Sequence, residues 1–150
     1  AVLVDTLQKC FDKFMDPALE FRRRECKELV PTPPLQSVLG TCNMFDALAT
    51  PERACSPAEG ESYVPMIEMN FLFALIWSVG ATIDEEGRKR FDMMLRELDG
   101  RFPPQDTVFE YWLDPKQKTW ATWEQKLPHS FKIAPETPFF KIVVPTVDTV

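Results

Sequence analysis

Apolar residues in the first hundred positions recur every three or four residues, the period of an α-helix that buries one face. This pattern predicts five helices, over residues 3–15, 17–29, 35–49, 65–80 and 83–98. The first two should be separated at Asp16-Pro17, with Asp16 as the cap and Pro17 opening the second helix. The third should turn one apolar face to the core, formed by Leu35, Val38, Leu39, Cys42, Phe45 and Leu48.

The fourth predicted helix is apolar on all sides. Every residue from Phe71 to Trp77 is apolar, so we expect this helix to be the buried centre of a bundle, ended by Gly80. Thr82 and Glu85 have the spacing of a capping box and predict the start of the fifth helix. Asp99-Gly100 should end it.

The period changes after residue 106. Residues 107–113 and 119–123 are rich in β-branched and aromatic side chains, and the polar stretch between them suits a turn, so a β-hairpin is predicted. Another short strand is predicted over Phe139–Val144, and Thr146 is placed to cap a helix after it. The predicted fold is mainly α with a small β element (α+β), a bundle of about five helices followed by a β-hairpin and a short strand. We expect two parts, 1–100 and 101–150, with a hinge near 100–104.

Charge and composition limit the partners. The net charge of −6 argues against a nucleic-acid binder, and the longest apolar run, seven residues, is far below the roughly 20 that a membrane span needs. The cysteines lack the spacing of a metal or redox motif. Cys10, Cys26 and Cys42 fall on apolar helix positions and are expected to be reduced and buried. The abrupt final residues suggest a piece of a longer chain.

Few residues suggest catalysis. The five glycines are scattered and form no phosphate-binding loop. His129 lies in a predicted loop, where an exposed histidine without a role is expected, and the carboxylates of residues 84–86 suit the first turn of a helix. The aromatic residues of the predicted hairpin suit cross-strand packing better than base stacking. No catalytic residue and no metal ligand is predicted, and residue chemistry alone indicates an α-rich interaction or structural domain.

Three stretches, in this order and spacing, resemble a dynein heavy chain. They are FLFALIWSVG at 71–80 with RKRFD at 88–92 and Leu95-Arg96; Phe102-Pro103 with TVFEY at 107–111, Trp120 and Trp123; and VVPTVDTV at 143–150. In that family this order marks the helical lid of the second AAA+ module, a β-hairpin insertion, and the strand leading into the third module. The unbroken segment 77–91 resembles axonemal forms more than cytoplasmic ones.

The resemblance implies a part of an ATP-driven, minus-end-directed microtubule motor in the axoneme of a cilium or flagellum. Its partners would be the neighbouring AAA+ modules of the same heavy chain, with the microtubule bound through other parts. ATP or ADP with Mg would belong to the parent motor. Because the chain lacks a Walker loop, we expect it to bind no cofactor and to hydrolyse no ATP by itself.

Two sites follow from the resemblance. AAA+ lids commonly carry a sensor arginine on the helix that corresponds to 71–80; its approximate position here is Ala74, and that helix has no basic residue. This departure implies a module that holds nucleotide without turning it over. Val144, Pro145 and Thr146 resemble the segment that passes beside the adenine in the next module, so an adenine contact is implied in the whole motor. A free-standing helical scaffold or adaptor domain without an ATPase connection remains the alternative.

Overall fold

The structure is a computed structural model that describes residues 1–146 and 149. Its helices and strands are α1 (Val2–Cys10), a π-helical turn (Phe11–Met15), α2 (Asp16–Glu25), α3 (Pro34–Leu48), α4 (Tyr63–Leu75), a second π-helical turn (Ile76–Gly80), α5 (Glu85–Leu98), β1 (Tyr111–Asp114) and β2 (Thr119–Thr122). The two strands form an antiparallel hairpin. The predicted class, mainly α with a small β element, is confirmed.

The first two predicted helices form one continuous helix. Asp16 has helical backbone angles and caps nothing, so the predicted break at Asp16-Pro17 is wrong. The π-helical turn ends at Met15, two residues before Pro17. A turn of this kind interrupts the regular hydrogen-bond ladder, and it therefore gives the proline ring and its missing N–H a place in an unbroken helix.

The continuous helix ends at Glu25, four residues earlier than predicted. The chain becomes extended at Cys26 and pairs with the segment that precedes α5. The amide of Leu29 donates to the carbonyl of Thr82 at 2.7 Å, and the amide of Asp84 donates to the carbonyl of Lys27 at 3.0 Å. These long-range hydrogen bonds replace the last predicted helical turn.

The central helix was predicted correctly. Most side chains of α4 and its π-helical turn are buried, including Phe71, Leu75 and Val79, whereas Trp77 is only partly buried. Among residues 1–146 and 149, one helical stretch, Pro57–Gly80, is long and apolar enough to pass a membrane-span test based on length and composition. In the window that passes, 61% is buried inside the fold, as in the core helix of a globular domain.

The start of α5 differs from the prediction. Asp84 is the cap, and its Oδ1 accepts from the amide of Gly87 at 2.8 Å. Thr82 instead lies at the paired segment, where its hydroxyl is 3.4 Å from Glu28 Oε1. An aspartate directly before the helix meets the unpaired amides of the first turn, which the hydroxyl two residues earlier does not reach.

Helix α3 has its predicted span but buries a different face. Its buried side chains are Ser37 and Thr41, while Leu35, Leu39 and Cys42 are exposed. Small residues allow a close approach: a Cβ built on Gly40, which lies between the two buried positions, would be 3.3 Å from Ser78 Oγ in the second π-helical turn. Of the expected apolar stripe, Val38 and Phe45 are partly buried and pack against the core, whereas the expected burial of Leu35, Leu39 and Cys42 was wrong.

At Cys10 and Cys26 the degree of burial affects the thiol pKa. Cys10 is buried, and burial together with the charge of Glu68 raises the pKa of its thiol to about 11. Cys26 is half-buried, and burial also raises the pKa of its thiol. A raised thiol pKa disfavours the reactive thiolate, consistent with the predicted structural role of these two residues.

The predicted hairpin is present, but the later strand is not. In the hairpin Trp112 lies opposite Ala121, and Leu113 opposite Trp120. Residues Phe139–Lys141 form a short 3₁₀ turn within the predicted strand 139–144. A strand needs a neighbour to satisfy its backbone groups, and among the described residues none lies beside this segment. The helix predicted after Thr146 falls largely on Val147, Asp148 and Val150, outside the described residues.

One hydrophobic core joins the helices and the hairpin. Phe102, Val108, Phe109, Leu113 and Trp120 belong to the same buried cluster as the side chains of α4 and α5. The predicted division into 1–100 and 101–150 concerns the parent chain and stays a prediction. In this structure the core does not stop at residue 100.

Candidate functional site at the junction of the helices and the hairpin

An ion pair on α5 binds the segment that leads into the hairpin. Asp92 and Arg96 are one helical turn apart, and Arg96 Nε donates to Asp92 Oδ1 at 2.9 Å. Arg96 also donates to the carbonyls of Pro103 at 2.5 Å and Asp106 at 2.8 Å. Asp92 Oδ1 accepts from the amide of Val108 at 2.7 Å. The pair therefore uses its remaining hydrogen-bonding capacity to fix residues 103–108 on α5.

A second charged group ties the end of α5 to the central helix. Arg101 donates to both carboxylate oxygens of Asp99, from Nε to Oδ1 at 2.9 Å and from Nη2 to Oδ2 at 2.5 Å, and to Glu68 of α4 at 2.7 Å. Burial by itself would raise the pKa of Asp99, but the hydrogen bonds from Arg101 outweigh it and hold that pKa below its usual range. This bidentate geometry fixes the direction in which the chain leaves α5.

Aromatic contacts complete the junction. The ring of Phe109 meets Trp77 edge-on at 5.9 Å and Phe91 at 6.2 Å, and the guanidinium of Arg88 lies 5.0 Å from its centroid. The indole N–H of Trp123 donates to the carbonyl of Phe109 at 3.2 Å. Central helix, α5 and the end of the hairpin thus meet at Phe109, the two helices at its ring and the hairpin at its carbonyl.

The tip of the hairpin is held as well. Lys118 has a left-handed backbone conformation in the turn, and its ammonium lies 2.6 Å from Glu59 Oε2 in the 3₁₀ segment before α4. The hairpin is therefore attached at its base, along its strands and at its tip.

The positions implied for nucleotide contact lie apart from this junction. The side chain of Ala74 is fully buried in the core, so this position faces no surface. Val144 and Thr146 are exposed and Pro145 is partly exposed. The hydroxyl of Thr149 donates to the carbonyl of Val144 at 3.1 Å and accepts from the amide of Thr146 at 2.8 Å.

The described residues offer little that fits the phosphate end of a nucleotide. Among 1–146 and 149, no three His, Cys, Asp or Glu side chains converge as a metal site. His129 is exposed, as expected. The junction is built from partly buried ion pairs and aromatic packing.

Residues 7–125 match the family described as Dynein heavy chain AAA lid domain. The chain belongs to this family. The matched region contains the whole junction, from the long first helix to the end of the hairpin. Membership in the dynein family, inferred from three short stretches, is therefore confirmed, and it favours the motor over the free-standing scaffold.

The dynein relatives are axonemal, ciliary or flagellar. The chain is 52% identical over 147 residues to dynein axonemal heavy chain 2 of Homo sapiens, covering 98% of this chain and 3% of that protein. It is 44% identical over 180 aligned positions to the dynein-1-beta heavy chain of the flagellar inner arm I1 complex of Chlamydomonas reinhardtii, covering 100% of this chain and 4% of that protein. The ciliary dynein beta chain of Heliocidaris crassispina is 31% identical over 93% of this chain and 3% of its own length.

The chain thus spans about 3–4% of the length of the relatives it matches. Sequence reasoning found Asp92 and Arg96 only as parts of a family-like stretch and gave them no role. Their four-residue spacing, with opposite charges, was the available signal for an ion pair. Nothing in the sequence pattern showed that both would reach residues 103–108.

Proposed function

We propose that this chain is a non-catalytic lid and linker of a dynein motor ring, in an ATP-driven, minus-end-directed microtubule motor of the ciliary or flagellar axoneme. It transmits movement between neighbouring nucleotide sites of the same heavy chain. The family match supports the lid assignment, and the relatives, which are axonemal and flagellar dynein heavy chains, support the axonemal location. The microtubule is bound through other parts of the parent.

The observation that carries this proposal is the junction. Between α5 and the hairpin, Arg101 fastens the start of the connecting segment and Arg96 its middle. Asp92 holds the end of that segment at Val108, and Phe109 joins it to the central helix. A hairpin attached in this way moves when the lid moves. Rotation of the lid, driven by a neighbouring nucleotide site, is then passed along the chain as a rigid-body displacement.

The nucleotide belongs to other parts of the motor. ATP or ADP with Mg would supply the phosphate chemistry when bound there, but residues 71–80 hold no cation to meet a phosphate, and we derive no hydrolytic step for this chain. We assign it to the second AAA+ module, with 1–100 as the helical lid and 101–150 leading into the third. Val144, Pro145 and Thr146 would border the adenine of that next module through their backbone.

The test is Arg96→Met in the full-length heavy chain, with Lys89→Met as the control. Lys89 lies on the same helix in an exposed pair with Glu85 and reaches no hairpin residue. We expect Arg96→Met to retain nucleotide binding but to reduce microtubule-gliding velocity roughly twofold or more, the effect of losing about 0.5 kcal/mol of coupling. Unchanged velocity in Arg96→Met, or an equal loss in the control, would contradict the proposal.

A further inference from the structure

A small cavity beside the hairpin is lined by aromatic rings and two cations. Its volume is 110 Å³, and its walls include Phe73, Trp112 and Trp123, with Arg53 and Lys126 as the charged lining residues. None of these five takes part in the charged ties that hold the hairpin on α5. Trp123 also donates to the Phe109 carbonyl of the junction, so the cavity adjoins the junction but lies apart from its ion pairs.

The aromatic walls are fixed in place. The indole N–H of Trp112 donates to the carbonyl of Thr122 at 3.2 Å, and that of Trp123 donates to the carbonyl of Phe109 at 3.2 Å. Trp123 also packs 6.3 Å from both Trp112 and Phe73. With both N–H groups used, the rings present their faces, and those faces attract cations.

Lys126 is held at the mouth by these faces. Its ammonium lies 4.1 Å from the Trp112 ring centroid and 4.8 Å from that of Trp123. Lys126 is exposed, so a ligand can approach it from solvent. Burial and the charge of Arg53 lower the pKa of Lys126, while Asp114 acts in the opposite direction.

The positive charge in the cavity is not neutralised within the described part of the chain. There, Arg53 and Lys126 form no ion pair within 4.0 Å. Arg53 Nε is buried and has no protein acceptor. Asp114 instead uses Oδ1 to accept from the amide of Lys116 in the hairpin turn. A buried guanidinium N–H without an acceptor is costly and marks a place where an anion would be stabilised.

We propose that this cavity is a socket for the carboxylate of an aspartate or glutamate side chain presented by a protein segment. At roughly 30 Å³ per water molecule, 110 Å³ admits the end of a carboxylate side chain and excludes a nucleotide. Arg53 and Lys126, the two cations of the lining, would pair with the carboxylate, and the aromatic rings exclude water. The relatives extend far beyond this chain, so other segments of such a polypeptide are available to supply the side chain.

The test uses the ¹⁵N-labelled chain titrated at constant ionic strength. The probes are the capped peptides Ac-Ala-Glu-Ala-NH₂ and Ac-Ala-Gln-Ala-NH₂, with sodium acetate and inorganic phosphate as small-anion arms. We expect the glutamate peptide to move the indole resonances of Trp112 and Trp123 and the Nε–H resonance of Arg53 in a saturable way. The glutamine peptide should bind at least roughly fivefold more weakly, the loss of one charge-assisted hydrogen bond.

Two variants and one control complete the experiment. Arg53→Gln and Lys126→Met should each weaken glutamate-peptide binding at least roughly fivefold, whereas Lys89→Met should leave it unchanged. Equal binding of the glutamine peptide, stronger binding of acetate than of the glutamate peptide, a preference for phosphate, or unaltered binding in both Arg53→Gln and Lys126→Met would overturn the proposal.

Discussion

Buried charged side chains are the residues on which the arrangement of elements depends most. Arg22 is 3% exposed and donates to Ser37 Oγ at 2.8 Å and to the Thr32 carbonyl at 3.0 Å, with Glu28 Oε1 3.4 Å from its Nε. It therefore connects α2, the extended segment and α3. Arg22 is the first of three consecutive arginines, a charge pattern that suits a solvated helix face. Arg23 and Arg24 do pair with Glu20 at the surface, whereas Arg22 is buried.

The ion pair of Asp99 and Arg101 should contribute measurably to stability. Asp99→Asn should destabilise the chain by about 1–3 kcal/mol, because it leaves Arg101 with a weaker acceptor in a buried position. Urea unfolding measures this free energy. Glu97→Gln, an exposed change on the same helix, is the control and should have almost no effect.

Because the pKa of Asp99 is lowered in the folded chain, the destabilisation caused by Asp99→Asn should depend on pH. A carboxyl whose folded pKa is lowered contributes stability that is complete above its unfolded pKa, about 4, and that is lost as the pH falls through the folded pKa. The difference in unfolding free energy between the native chain and Asp99→Asn should therefore shrink below about pH 4. A constant difference down to pH 2 would show that the Asp99–Arg101 pair does not cause it.

At the scale of elements, periodicity located the helices but did not settle their ends or faces. Phe71 and its neighbours formed a run so apolar that burial was the only reasonable expectation, and it was correct. For α3 the apolar pattern predicted burial of Leu35 and Leu39, but both are exposed. The helix instead packs on the face that contains Gly40, which lies close to Ser78. That contact depends on residues 38 positions apart, which no local pattern encodes.

Gly80, at the end of the central helix, allows a test of how tightly the elements pack. It was expected to end the central helix, and the second π-helical turn does end there, at a φ that is not positive. A Cβ there would be 2.9 Å from the Phe109 ring and 3.1 Å from the Phe91 ring, both buried. Gly80→Ala should therefore cost about 1–3 kcal/mol through overpacking.

Gly100→Ala is the matched control, since a Cβ at Gly100 meets nothing within 4 Å. Thermal unfolding compares the two. If Gly80→Ala melts no lower than Gly100→Ala, the close approach of the central helix to Phe109 is not a stabilising constraint.

At the scale of the whole molecule, the sequence supported the class, the family and the presence of a hairpin. The attachment of that hairpin could not be predicted, because it rests on hydrogen bonds from Arg96 to the carbonyls of Pro103 and Asp106, which depend on the path of the backbone. For residues 139–144 the sequence predicted an element that does not form. Residues 139–144 have strand-like composition, but a strand forms only where another strand lies beside it.

The helices and the hairpin form one mechanical unit, held by a shared core and by the charged junction. Native-state hydrogen exchange measures this directly, through the opening free energies of amides in β1, β2 and α4. We predict that the hairpin amides open with free energies within about 1 kcal/mol of those in the central helix, since one core and the charged junction hold both. Hairpin amides that exchange like an unstructured peptide, while α4 stays protected, would contradict the account.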